Sequence, residues 1–265
     1  MDSLIQRAAR DLATSRYAIA LTGAGISTES GIPDFRGPSG IWTRDPEAER
    51  KAYQRYELFQ RDPKAYWEER LRGPSFLGDL EKVAPNPGHH ALVALERMDI
   101  LKCIITQNVD NLHQRAGSSR VLDYHGNSSK VRCVGCNARY ALQEFDLERL
   151  ERDRQLPPRC LKCGGTIKAD TVHFREPIPP DVAQQSLEEA EKCDVMLVCG
   201  TSAVVYPFAN LPRVAKRHAT DTILIEVNAE PTPLTAERVS DYLIQGKTGD
   251  ILPRIVKAVK QLRKE

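Results

Sequence analysis

Four short apolar runs, each breaking off at a small or polar segment, constrain this chain most. They are Tyr17–Leu21 before Thr22-Gly23, Leu101–Ile105 before Thr106-Gln107-Asn108, Val195–Cys199 before Gly200-Thr201-Ser202, and Thr222–Val227 before Asn228-Ala229-Glu230. Runs of this length bounded by turn residues read as strands buried on both faces. Helical patterns lie around them, over 3–15, 88–98, 181–192, 207–218 and 249–263. Strands alternating with helices predict an α/β fold with a parallel sheet covered on both sides. The stretch 46–73, rich in Glu, Arg, Lys and aromatics, reads as a helical insertion.

At 265 residues, 41% hydrophobic and 28% charged, the chain fits one large domain or a domain with a smaller insertion. No apolar run approaches the ~20 residues of a membrane-spanning helix. Met1–Gln6 lacks the basic-then-apolar build of a signal peptide. Lys plus Arg number 38 against 36 Asp plus Glu, a net charge of +2, which argues against a dominant electrostatic grip on nucleic acid. A cytoplasmic setting is expected.

Cysteine usage narrows the architecture. Cys133-x-x-Cys136 and Cys160-x-x-Cys163 are two pairs separated by 23 residues. Chance or disulfide pairing is one reading. The other is a structural zinc site, in which two such knuckles close a four-thiolate tetrahedron with no open position for catalysis. Gly135, Gly164 and Gly165 supply the tight turns a knuckle needs, which favours zinc, with the module spanning 127–167. Cys103, Cys193 and Cys199 lie in or beside apolar stretches and read as buried, inert thiols.

In open parallel sheets, ligands bind beyond the carboxyl ends of the strands. Gly23-Ala24-Gly25-Ile26-Ser27 offers a Gly-x-Gly turn suited to a pyrophosphate, a weak signal without the third glycine of the dinucleotide fingerprint. Gly31–Pro38, around Asp34-Phe35-Arg36, reads either as a surface loop or as a lid with an aromatic shield and a cation. Gln107, Asn108 and Asp110 are poor core material and good hydrogen-bonding equipment. Gly200-Thr201-Ser202 suits a phosphate or ribose, and Asn228 or Glu230 an adenosine ribose. Gly246-Lys247-Thr248 is no nucleoside-triphosphate loop, because Asp241 stands where that motif needs glycine.

These segments, with Tyr124-His125-Gly126 and the four cysteines, occur in the order found in sirtuins, and over roughly 3–260 the chain resembles that family, in its prokaryotic form. The resemblance implies a doubly wound, Rossmann-like dinucleotide domain (1–45, 74–126 and 168–265) and a smaller domain of zinc module and helical insertion. It implies an NAD-dependent protein lysine deacylase with one structural Zn2+, acting on acylated-lysine proteins. Gly23, Ala24, Gly25, Ile26, Asp34, Phe35, Arg36, Gln107, Asn108, Asp110, Gly200, Thr201, Ser202, Asn228, Glu230 and Thr248 would then hold NAD+. In the family, the acyl-lysine oxygen attacks the ribose carbon as nicotinamide leaves, and a histidine removes a ribose proton so that the acyl group passes to ADP-ribose. His125 matches that histidine, with Asn108 beside the reaction. A histidine suits the task because its ordinary pKa is about 6.5. His89 and His90 read instead as capping or packing residues, His113 as a brace, and His218 as a helix end. An NAD-cleaving hydrolase or mono-ADP-ribosyltransferase would share the cofactor site without an acyl-lysine tunnel, and a non-catalytic NAD sensor is a third reading.

The chain departs from the family at Lys168–Glu176. There the pattern is usually Arg-Pro, then an apolar residue, often Trp, beside Val, then Phe-Gly-Glu. Val172, His173, Phe174 and Arg175 are the expected peptide-binding positions, and Arg175 replaces a glycine. The Tyr-x-x-Arg of sirtuins that favour acidic acyl groups is absent from 44–90, although Tyr66 and Arg70 stand at i,i+4. Acetyl or longer apolar chains are therefore expected.

Overall fold

The computed structural model describes residues 1–37, 40–73 and 79–264. Pro38 and residues 74–78, at the start of one expected segment, lie outside them. The main sheet has six strands: β1 (Ala18–Thr22), β2 (Leu101–Thr106), β3 (Val121–Asp123), β7 (Val195–Cys199), β8 (Ile223–Asn228) and β9 (Tyr242–Gln245). A second sheet has three antiparallel strands: β4 (Lys130–Cys133), β5 (Arg139–Ala141) and β6 (Ile167–Ala169).

All pairings in the main sheet are parallel, in the order β3-β2-β1-β7-β8-β9. Strand order reverses between β1 and β7, and at such a switch point the strand-end loops part and leave a crevice. Successive side chains of β1 enter opposite layers: Ala18 and Ala20 pack with helices Asp2–Thr14, Pro87–Arg97 and Thr248–Leu262, Ile19 and Leu21 with Pro180–Lys192 and Leu211–His218. The fold is α/β and doubly wound. The edge strands β3 and β9 carry no long apolar run, so hydrophobicity alone did not predict them.

The insertion is built by two Asp-Pro steps. Asp45 and Asp62 each cap a helix through Ala48 N–H (3.1 Å) and Ala65 N–H (3.0 Å), with Pro46 and Pro63 as first helical residues. The resulting helices, Pro46–Arg61 and Pro63–Arg72, place Phe59, Tyr66 and Trp67 on the small sheet against Val131, Ile167 and Ala169. Trp67 Nε1 donates to Ile167 O at 2.9 Å, so its polar edge is satisfied inside this core.

Candidate active site

The loops after β1 and β7 touch backbone to backbone. Gly25 N–H donates to Gly200 O at 2.7 Å, and a Cβ on Gly25 would lie 2.7 Å from that oxygen. Gly200 has φ +58°, and a Cβ on it would lie 2.3 Å from Ile26 N. Much of the glycine requirement thus comes from the loops themselves. Ser202 and Glu230 are exposed, and Asn228 Nδ2 donates to Glu230 O at 2.8 Å. Thr248, at the start of the last helix, is buried with its hydroxyl unpartnered among the described residues.

A hydrogen-bonded cluster joins β1 to β2. Asn108 Nδ2 donates to Gly23 O (3.1 Å) and Ser27 Oγ (3.0 Å), and Ser27 Oγ donates to Asp110 Oδ2 at 2.6 Å. Asp110 is buried, which raises its pKa, while the Ser27 hydroxyl and the Leu112 N–H pull it down. Gln107 Nε2 donates to Thr201 Oγ1 at 2.8 Å and ties β2 to β7. Behind them Thr22 Oγ1 bonds Thr106 Oγ1 and the His113 ring, so His113 is a brace, as expected. His89 accepts the Asn86 N–H in a capping box. Sequence reading passed over Ser27 as a site residue; it lay in a quoted motif, but only the fold shows it bonded to both Asn108 and Asp110.

His125 follows β3, half-buried, with ring centroids 5.6 Å from Tyr124 and 6.4 Å from Phe208. Burial lowers its pKa to about 4, opposed in part by a hydrogen bond with the Gln107 backbone. At neutral pH the imidazole is therefore uncharged, and that bond brings it to Gln107, just past the end of β2. Its carbonyl accepts Val172 N–H at 2.8 Å, which fastens the 172–175 segment alongside. Gly126 at φ +76° makes this possible, since a Cβ there would lie 2.0 Å from Asp170 O.

Phe35, Trp42, Phe174 and Tyr53 form an aromatic chain, with centroids 4.8 Å, 5.4 Å and 4.2 Å apart in that order. Arg36 lies over the Trp42 ring at 4.5 Å, and Asp34 accepts Gly37 N–H. The chain joins the Asp34-Phe35-Arg36 loop to the insertion and to the 172–175 segment. Tyr66 is fully buried and its hydroxyl bonds the His173 ring at 3.0 Å, so this tyrosine is spent on the 172–175 segment. Burial holds the His173 pKa well below its ordinary value, helped by Lys168, Arg55 and Arg70. Arg175 is exposed at φ +66°, the left-handed geometry that its position demands of a glycine.

Cys133, Cys136, Cys160 and Cys163 bring their sulfurs within 4.8 Å of one another. The Cys133–Cys163 and Cys136–Cys160 separations are 3.5 Å and 3.6 Å, too long for disulfides. They approach the ~3.8 Å edge of a zinc–thiolate tetrahedron with bonds of about 2.3 Å. Backbone N–H groups of Gly135, Cys136 and Gly165 point at the sulfurs, as suits thiolates. The four residues fit a structural zinc ion. The other three cysteines are buried, with thiols pushed up to about 12 by burial.

Residues 23–207 match the Sir2 family. The chain is also 45% identical to NAD-dependent protein deacylase 2 of Archaeoglobus fulgidus, over 100% of each. The chain belongs to the Sir2 family. This Sir2 chain superposes on a Sir2 enzyme studied for mechanism and regulation at TM-score 0.77, with 44% identity, covering 99% of this chain and 100% of that one. It is likewise similar to Sir2Af2 bound to a myristoylated histone peptide, at TM-score 0.67 and 40% identity, covering 100% and 99%. No helix among the described residues of this Sir2 chain is long and apolar enough to cross a membrane.

Proposed function

We propose that His125 is the general base of an NAD-dependent protein lysine deacylase, with Asn108 as its partner at the reacting centre. Deacylation is the activity of the family to which the chain belongs, and acylated-lysine proteins are its substrates. The observation that carries the residue assignment is the placement of His125, its ring bonded to the Gln107 backbone after β2 and its carbonyl holding Val172 of the 172–175 segment. A base must be unprotonated at working pH to accept a proton, and burial ensures this.

The amide, hydroxyl and backbone groups at the ends of β1, β2, β7 and β8 suit the riboses and phosphates of NAD+. When bound, NAD+ supplies a ribose whose bond to nicotinamide breaks and whose hydroxyl accepts the acyl group. Gly23, Ala24, Gly25, Ile26, Gly200, Thr201 and Ser202 surround the diphosphate position, with Asn228, Glu230 and Thr248 towards the adenosine. Asn108, fixed through both hydrogens of its amide nitrogen, turns its remaining oxygen to a ribose or a water. Gln107 and Asp110 keep that amide in register. The Asp34, Phe35 and Arg36 loop covers the nicotinamide end and excludes water.

The 172–175 segment receives the acylated peptide by strand addition next to His125. Exposed Arg175 favours peptides with Asp or Glu beside the acyl-lysine. With the Tyr66 hydroxyl engaged by His173, the acyl site suits acetyl or longer apolar chains. Four thiols placed for zinc and three buried ones, with no disulfide between any of them, fit a reducing cytoplasm. The test is nicotinamide release with and without an acetylated peptide. Peptide-dependent release that disappears in His125→Ala is expected, whereas release indifferent to peptide would make the protein an NAD hydrolase.

A further inference from the structure

The segment 170–176 is held by buried charge. Lys168 has no exposed surface; its Nζ donates to Ala169 O at 2.6 Å and Thr171 O at 2.7 Å, and pairs with Glu176 Oε2 at 3.1 Å. Three acceptors thus use the three hydrogens of the ammonium. Glu176 Oε2 also accepts His173 N–H at 3.0 Å, while Oε1 accepts from Arg132 at 2.8 Å. At the other end, Asp170 accepts from Arg139 Nε at 3.2 Å and from Asn127 N–H at 3.0 Å. Both ends of the segment are therefore pinned to the small sheet, through Arg132 on β4, Arg139 on β5 and Lys168 on β6.

The turn thus pinned is strained. Glu176 N–H donates back to His173 O at 3.0 Å, and within that turn Arg175 takes φ +66°. A non-glycine residue keeps such a conformation only where its surroundings over-determine the backbone. The buried charges supply that constraint. They are a costly way to fill space, since apolar groups of equal volume often stabilise a core as well. Their distinguishing property is direction: each fixes a particular carbonyl or carboxylate of the turn.

We propose that Lys168 is a positioning residue for the acylated peptide, holding the backbone of 172–175 in the form that accepts the added strand. The proposal rests on the reading of 172–175 as the peptide cleft. Lys168 touches neither the reacting atoms nor the strand-end loops of the main sheet, so its effect falls on peptide affinity. Glu176 and Arg132 transmit the constraint to the far side of the turn.

The experiment compares wild type with Lys168→Met and Lys168→Arg, using an acetyl-lysine peptide with neutral flanks. In Lys168→Met, the KM for peptide should rise about tenfold or more, with kcat within about twofold and NAD+ affinity and zinc content unchanged. Lys168→Arg, which keeps the charge and the donors, should recover most of the loss. An unchanged peptide KM in folded, zinc-replete Lys168→Met overturns the proposal, as does an equal loss of NAD+ affinity. If Lys168→Met fails to fold, Glu176→Gln takes its place: a raised peptide KM supports the clamp and an unchanged one refutes it. Direct calorimetric binding of the same peptide separates this from the deacylase reading. Wild type that binds peptide without turnover refutes that reading alone, and a binding loss in Lys168→Met still supports the clamp.

Discussion

The two sheets of this molecule are stabilised by different physics. The six-stranded sheet is sealed by apolar layers on both faces, and every residue of β1 and β7 is buried. The polar residues Gln107, Asn108, Asp110 and Thr201 collect beyond the carboxyl ends of its strands. The three-stranded sheet has a small aromatic core of Phe59, Tyr66 and Trp67, the four thiols, and the buried side chains of Arg132, Lys168, Asp170 and Glu176. A large sheet can live on area, because its buried fraction is high; a small one needs a metal and directed polar bonds. The lesson is that apolar area holds the larger sheet, while directed bonds between buried charges hold the smaller one.

The sharpest break in that comparison is removal of the metal. Cys160→Ala should abolish zinc binding and melt the small sheet, because three thiolates cannot close the shell. Metal analysis should find no zinc, circular dichroism should show partial loss of structure, and deacylation should vanish. Soluble, active, zinc-free protein would show that the small sheet stands without the ion.

His125→Ala tests the larger sheet's side. Deacylation should fall ~10²-fold or more, the usual scale for a general base, while NAD+ affinity measured by calorimetry stays near wild type. Full activity in this variant would remove His125 from the chemistry.

Acid should strain the main sheet's surroundings through buried imidazoles. Burial lowers His89 to about 4 and His113 to about 3, so the folded state resists the protons that the unfolded chain takes up near pH 6.5. Where the unfolded chain binds more protons, stability falls as pH falls. The contribution is complete above about pH 6.5, declines below it as the unfolded histidines charge, and is gone below about pH 3. Melting temperatures measured between pH 7 and pH 4 should drop, and less steeply in His113→Gln. Identical slopes would place the acid sensitivity elsewhere.

The smallest effect belongs to the strained turn. Arg175→Gly should relieve left-handed strain of about 1 kcal/mol, read as a modest rise in melting temperature. It should also erase any preference for peptides with flanking Asp or Glu, read as equal KM across neutral and acidic peptides. A wild type already indifferent to flanking charge would take Arg175 out of the specificity argument.

Local pattern was enough to read the α/β rhythm, since four apolar runs ending in polar segments have few other solutions. It was enough for the metal ligands too, because two Cys-x-x-Cys pairs hold their own geometry within each knuckle. The edge strands β3 and β9 escaped, being short and paired on one side only, so little apolar patterning marks them. Lys168 escaped as well: along the chain it is an ordinary lysine before a turn, and its burial depends on Glu176 and on the facing strand β4.

The sequence by itself determined the four central strands, the order of the strand-end motifs and the two Cys-x-x-Cys pairs, because each is written within a few consecutive residues. Tertiary structure decided what those residues do to one another. Asn108 is fixed by Ser27 from another strand end, and His125 is neutral because Tyr124, Phe208 and the surrounding chain bury it. Tyr66 is engaged through its hydroxyl by His173, and Arg175 is held left-handed within a turn tied to three strands. Dielectric environment and hydrogen-bond partners are properties of packed neighbours distant in the chain, and only the fold brings those neighbours together.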